Sequence, residues 1–174
     1  IQIRSKLTPT MNYDGLTARD LSIKSRQLQL ELEGFLSTNL SGELSGEGYL
    51  KVAPFSFRNW LAAGNFPGPV TKDLSKLTNL EIETFLKLSN DIVSFQELKI
   101  HLDKTNFIGS LDLLFEPLNA NLNGEVTSID IDSYLGKNRN QNESIAKYAL
   151  KILPGSYNLT IESLAASNFN FKEF

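Results

Sequence analysis

The amino-acid sequence predicts a mostly β protein: a curved, twisted antiparallel meander sheet with a few short helices at the strand ends. Apolar and polar residues alternate in several segments, most clearly over residues 93–115, and the polar stretch 103–106 divides that segment as a turn would. Helical spacing of apolar residues is confined to a few short stretches. Alternation with a period of two is typical of strands that have one buried and one solvated face.

The first third of the chain is predicted to contain an irregular opening segment and then strands. Pro9 is a turn former, and residues 1–15 are therefore predicted to be irregular. Strand signals cover residues 16–32, and Gly34 is predicted to interrupt them. Residues 39–50 are rich in glycine, with Gly42, Gly46 and Gly48, and are predicted to form a strand pair with glycine-softened bends.

The best helix prediction covers residues 56–64. Ser56 is placed to cap the first amides, and Gly64 is placed to end the helix in a left-handed conformation. Phe57, Trp60 and Leu61 share one face of this helix, and we expect Trp60 to pack on the sheet rather than to bind a ligand. Residues 72–77 are predicted to add a helical turn.

The second half of the chain is predicted to contain most of the sheet. Residues 80–88 form an alternating strand, and the hairpin 93–115 follows it. Two short strands are expected on either side of Gly124, and then Asp132 is expected to cap a single helical turn. A second helix is predicted over residues 142–153, with Ile145, Tyr148, Ala149 and Ile152 on its apolar face, then a strand from Tyr157 and a last strand over residues 167–174.

Alternation alone predicts a continuous apolar face on the central strands. These residues must face a dry environment, which is either a filled core or an open trough. A trough would hold an acyl chain without any polar site, since each buried CH₂ group contributes roughly 0.8 kcal/mol. The predicted members of this face are Leu80, Ile82, Leu86, Leu88, Leu98, Ile100, Leu102, Phe107, Leu111, Leu113 and Phe115.

The composition excludes several classes of partner and site. The chain has 174 residues, 41% of them hydrophobic, which is enough for one domain with a core. Its formal net charge is −3 and its Lys and Arg residues are scattered singly, so neither a nucleic-acid partner nor a polybasic membrane patch is expected. Cysteine is absent, which excludes disulfides and cysteine metal sites. We expect no cofactor.

Reaction chemistry is not expected either, because the candidate residues fit structural roles better. His101 is the only histidine, and its parity places it opposite Ile100 and Leu102, on the solvated face. No nucleophile elbow of the type G-x-S-x-G accompanies it. Glu125, Asp130 and Asp132 are too few and too extended in spacing for the converging oxygen ligands of a hard cation. The glycines at 42, 46 and 48 lack the lysine of a phosphate-binding loop. The sequence therefore predicts a protein that is not an enzyme and holds no metal.

Four segments, taken together, resemble the AsmA family of bacterial envelope proteins. Residues 55–64 resemble its F-x-x-R-x-[LW]-L-x-x-L-G helix, although Gly64 arrives one residue early. Residues 100–111 resemble its L-x-L-D-D-T-x-L-x-G-x-L hairpin, with Lys104 in place of the second acid. Residues 129–135 are similar to its L-x-L-D-x-Y-L turn, and residues 150–161 to the helix-to-strand step that follows. The order and rough spacing of all four agree with the family pattern.

This resemblance implies a periplasmic location, in a parent protein anchored in the inner membrane. It also implies a role in outer-membrane biogenesis, in which a hydrophobic β-groove carries phospholipid acyl chains. The chain begins at Ile1 rather than Met, and we expect residues 1–174 to be a single β-rich domain and an internal slice of a longer protein. The alternative is a closed-core structural or interaction module whose strand edges pair with other segments of the parent protein.

Overall fold

The computed structural model describes residues 1–10, 15–66, 71, 73–134 and 154–165. These residues form one open sheet of nine strands, which lie side by side in chain order. All neighbouring strands are antiparallel except the last pair, which is parallel. The fold class predicted from the sequence is confirmed, with a parallel last strand as the addition. The strands are β1 (Gln2–Pro9), β2 (Gly15–Lys24), β3 (Gln29–Asn39), β4 (Leu44–Phe55), β5 (Leu80–Leu88), β6 (Ile92–Leu102), β7 (Thr105–Phe115), β8 (Leu118–Asp130) and β9 (Gly155–Ala165).

Two short helices lie at the same end of the strands, as predicted. Helix α1 (Phe57–Ala63) follows the end of β4, and helix α2 (Ile131–Tyr134) follows the end of β8. The turn between β6 and β7 lies at this end as well, because strand direction alternates from β4 to β8. We call this the helical end of the sheet.

The caps of the two helices differ in part from the prediction. Ser56 caps α1 as expected, since its Oγ accepts a hydrogen bond from the Asn59 amide at 3.3 Å. Gly64 is not left-handed, because its φ is −84°, and the left-handed residue is Asn65 at φ +54°. Asp132 was the wrong choice of cap for α2, since it lies inside the helix. The carboxylate of Asp130 accepts the Ser133 amide at 3.2 Å instead.

Trp60 is half-buried in an aromatic cluster at the helical end of the sheet. Its ring stacks between Phe57 and Phe66, with ring centroids 5.9 and 5.8 Å away. Helix α1 has no fully buried residue and no extensive contact with any described strand. The spacing of aromatic residues identified a real cluster, and the cluster reaches the end of β4, because the Phe57 ring lies 6.4 Å from the Phe55 ring.

Two glycines that were predicted to break strands lie inside continuous ones. Gly34 is paired with Gly48 across β3 and β4, and Gly124 with Gly109 across β7 and β8. A Cβ built on Gly34 would lie 2.5 Å from the Gly48 Cα, and one on Gly109 would lie 2.7 Å from the Gly124 Cα. These glycines therefore permit a close approach of neighbouring backbones instead of ending the strands.

Other strand boundaries also differ from the prediction. Residues 2–9, predicted to be irregular, form β1, which β2 holds by antiparallel pairing. The predicted turn 103–106 is only two residues long, because Thr105 pairs with Leu102 and belongs to β7. Residues 39–50 contain the end of β3, a turn and the start of β4.

Four further predictions remain, and two of them fall on residues that the structure does not describe. Residues 73–77 form turns rather than helix, because the Asp73 carboxylate accepts the Ser75 amide and Leu77 has a φ of +62°. The predicted strand from Tyr157 is confirmed as β9. The predicted helix 142–153 and strand 167–174 lie outside the described residues.

Candidate functional site

The strand register places all eleven predicted residues on one face of the sheet. Paired residues in neighbouring strands lie side by side on the same face. Ile82 is paired with Ile100, and Ile100 with Phe107, which joins the faces of β5, β6 and β7. Alternation within each strand brings the remaining predicted residues to this side, which we call the apolar face.

The apolar face extends across the whole sheet, well beyond the predicted residues. One row of directly paired residues crosses all nine strands, and every member of it is apolar. We call it the central row. It consists of Ile3, Ile23, Leu30, Val52, Ile82, Ile100, Phe107, Val126 and Ile161.

Two members of the apolar face in β6 were missed because a bulge changes the period. Phe95 pairs with Leu86 and Leu111, and Val93 pairs with Leu88 and Leu113. The register shifts between Phe95 and Leu98, and Glu97 has a φ of +50°. An extra residue at a bulge returns the following side chains to the same face. The sequence carries a signal of this bulge. Phe95 and Leu98 are three residues apart, whereas the apolar residues before and after them are two apart.

Exposure along the apolar face rises from the middle of the sheet to its edges. Leu32 and Leu98 are only 3% and 4% exposed, whereas Ile3 on β1 is 64% and Ile161 on β9 is 43% exposed. Among the described elements, each strand packs closely against its neighbours in the sheet, and α2 makes a small contact with β9. No second layer of described residues covers this face. This gradient is expected for a sheet whose central strands have neighbours on both sides and whose edge strands have a neighbour on one side only.

Two features of the backbone favour a curved sheet. Five of the eight strand pairs contain a register shift, and bulges bend strands and increase their twist. The Gly109–Gly124 pair removes side chains from the apolar face, and the Phe107 ring covers the gap. A Cβ on Gly124 would lie 2.6 Å from two atoms of that ring. Glycines within strands allow a sheet to bend, and an aromatic side chain over such a glycine restores packing there.

The single polar residue buried in the middle of this face is satisfied internally. Thr84 is 3% exposed, and its hydroxyl donates to the Gln96 carbonyl at 2.8 Å. Gln96 lies within the β6 bulge, so the threonine pairs a carbonyl where the register shifts. The centre of the apolar face therefore presents no free polar group from Thr84.

The opposite face, which we call the polar face, carries exposed charges in alternating order. Glu31, Lys51, Glu83 and Lys99 are directly paired across β3 to β6. The Lys51 ammonium lies 2.5 Å from a Glu83 carboxylate oxygen. The hydrogen bond and charge of Glu83 raise the pKa of Lys51, and Lys51 lowers the pKa of Glu83 in turn.

His101 lies on the polar face, opposite in parity to Ile100, as predicted. Its Nδ1 is 2.6 Å from the Asn106 Oδ1, and its paired neighbour in β5 is Glu81. Glu125 lies on β8 beside Ile108 and Thr160. Within the described ranges, no three carboxylate or histidine side chains come together as metal ligands would.

A polar network at the helical end connects three of the segments that carry the AsmA resemblance. Its centre is Asp103, in the β6–β7 turn. The carboxylate accepts the backbone amides of Leu77, Thr78 and Asn79 at 2.8 to 3.2 Å, and the Tyr134 hydroxyl at 3.0 Å. Partial burial raises the pKa of Asp103, but these hydrogen bonds outweigh it and lower the pKa below its usual value. Burial and the bond to Asp103 raise the pKa of Tyr134 to about 12.

Arg58 extends this network to helix α1. Its guanidinium donates to the Thr71 hydroxyl at 2.5 Å and to the Lys76 carbonyl at 3.0 and 3.2 Å. The Lys76 ammonium lies 5.3 Å from the centre of the Tyr134 ring. We call Arg58, Thr71, Lys76, Asp103 and Tyr134 the strand-end network. The network fastens the β4–β5 connection to the β6–β7 turn and to α2, so its role is structural.

No protein-family model matches the chain, and no curated protein or solved structure shows significant similarity to it. The AsmA resemblance therefore remains a prediction from the sequence. Among the described residues, no helix is long and apolar enough to cross a membrane.

Proposed function

We propose that this chain is a non-enzymatic part of a bacterial envelope protein, and that its apolar face is a hydrophobic groove for phospholipid acyl chains. It would serve phospholipid passage or outer-membrane assembly in the periplasm, within a parent protein anchored in the inner membrane. The observation that carries the proposal is the central row, which is apolar in every strand and has no described layer over it.

The energetics of such a groove need no specific polar site. Burying one CH₂ group contributes roughly 0.8 kcal/mol, so an acyl chain of about fifteen carbons has about 12 kcal/mol of gross driving force. The central row crosses eight strand spacings of about 4.8 Å each, which gives an apolar path on the order of 38 Å. A continuous path lets a chain move along the face without crossing a polar barrier.

The AsmA resemblance supports the proposed class of protein. Arg58, Asp103 and Tyr134 come from three separate segments that resemble the family, and they meet in one network. A chance similarity of separate strands would not require these three residues to join one network.

Site-specific photocrosslinking in cells tests the groove. A photoreactive amino acid at Ile100 would lie on the apolar face, and the same amino acid at His101 provides a matched control one residue away on the polar face. We expect lipid adducts, identified by mass spectrometry, from position 100 and few from position 101. Equal labelling at both positions, or none at position 100, would refute a lipid groove.

The two edges of the sheet favour a second candidate, a closed-core module that pairs with other segments of the parent protein. Neither β1 nor β9 has a described strand on its outer side. An extended segment can add to such an edge by main-chain hydrogen bonds. Mass spectrometry of the purified protein separates the candidates, because a groove retains copurified phospholipid and a closed core retains none.

A further inference from the structure

The two edges of the sheet carry opposite charge. Strands β1 and β2 contain four cationic side chains and one carboxylate, and Arg4 and Lys6 lie on the edge strand itself. Strands β8 and β9 contain three carboxylates and no cationic side chain, and Glu162 lies on the edge strand. The charged edge residues Arg4, Lys6 and Glu162, together with Glu125, share the polar face.

The two edges also differ in how they resist pairing. β1 has a register shift after Arg4, a lysine and a terminal proline, all of which discourage unspecific strand addition. β9 is eleven residues long, exposed throughout, and has neither lysine nor proline. A β1–β1 contact would bring like charges together, and so would a β9–β9 contact. A contact between β9 and β1 brings opposite charges together.

We propose that the chain associates with a second copy of itself, edge to edge, by pairing β9 of one copy with β1 of the next. With the apolar faces on the same side, the two strands run antiparallel, because β1 and β9 run in opposite directions along the sheet. A register that extends the central row places Ile161 beside Ile3 of the second copy. Arg4 of that copy then lies opposite Thr160 and diagonal to Glu162, within reach of a cross-strand charge pair.

This association extends the apolar face from one copy to the next without covering it. This association does not depend on the proposed function, since it is argued from the charges of the two edges. It can be tested on the purified chain without lipid. A pair of copies still presents one β1 edge and one β9 edge at its two ends. The contact is therefore head-to-tail and has no built-in limit of size.

A charge-swap series tested by sedimentation velocity decides the matter. We expect the average mass of the wild type to rise with concentration, and to rise less at high salt. R4E/K6E and E125K/E162K should each weaken self-association about tenfold, since attraction is replaced by repulsion along the edge. The quadruple variant, with both edges inverted, should recover association to within about threefold of the wild type. Circular dichroism of each variant confirms that the sheet is folded.

Cysteine crosslinking locates the contact, because the chain has no cysteine of its own. A mixture of the single variants Ile3→Cys and Ile161→Cys should form a disulfide-linked pair, whereas Ile82→Cys, at the centre of the apolar face, should not. A wild type that stays monomeric, a folded quadruple variant without recovery, or crosslinking through position 82 alone would overturn the proposal. The last result would indicate that copies stack face to face.

Discussion

The two faces of this sheet are built from the same strands, yet they differ in how they contribute to stability. On the apolar face, side chains crowd one another until Leu32 and Leu98 are almost fully buried. On the polar face, the Lys51–Glu83 pair remains about half exposed. Burial of apolar surface stabilises a protein regardless of geometry, whereas an exposed ion pair contributes little. The comparison indicates that side-chain burial on the apolar face stabilises the described sheet more than the ion pairs of the polar face do.

Replacing Leu98 by alanine should have the largest effect on this balance. Leu98 is 4% exposed, so the loss of its side chain should lower the free energy of unfolding by about 2–5 kcal/mol. Lys99→Ala, one residue away on the polar face, should change it by less than about 0.5 kcal/mol. Urea titrations of both variants measure the difference. Similar costs for the two positions would break the contrast between the faces.

Replacing Gly124 by alanine tests whether the glycine pair shapes the apolar face. The new Cβ would lie 2.6 Å from the Ile108 carbonyl oxygen and from the Phe107 ring, so we expect a loss of about 2 kcal/mol. Phe107→Leu should relieve the part of this cost that comes from the ring. A double-mutant cycle by urea unfolding measures that part. Additive costs would show that the ring does not cover the glycine pair.

Replacing Asp103 by asparagine probes a partly buried set of polar contacts at the helical end of the sheet. The carboxylate accepts three amides and a hydroxyl, so its neutral replacement should cost about 1–2 kcal/mol at pH 7. Because folding lowers its pKa below 3.8, its contribution is fully present above that pH and is lost as the pH falls through the folded value.

The pH dependence supplies the check on this role. The difference in unfolding free energy between the wild type and Asp103→Asn should be smaller at pH 3 than at pH 7. Tyr134→Phe should cost less than Asp103→Asn at pH 7, since it removes only one of the donors to the carboxylate. A constant difference at both pH values would exclude the charge of Asp103 as the cause.

Replacing Lys51 by alanine should have the smallest effect. Its ammonium is exposed, and pairs of this kind are screened by salt. The urea midpoint should stay within experimental error of the wild type at 0.5 M salt and shift only slightly at low salt. A large shift would mean that the polar face stabilises the sheet more than its exposure indicates.

The strands and the main face were predictable because the period of the residues is local information. All eleven predicted residues lie on the apolar face, because the strand register pairs the apolar residues of neighbouring strands with one another. Phe95 was missed, because its bulge is stabilised by pairing with two neighbouring strands. The breaks predicted at Gly34 and Gly124 were wrong, because each glycine lies beside another glycine that is distant in sequence.

The sequence by itself determined most of the strands, which side of each central strand is apolar, and that Ser56 caps a helix. These properties depend on residues a few positions apart. Only the tertiary structure decided that nine strands lie in chain order, that β9 runs parallel to β8, and that Asp103 binds the 77–79 amides. Those properties depend on pairing between segments that are distant in sequence. The hydrogen-bond partners of each segment depend on the arrangement of all the strands.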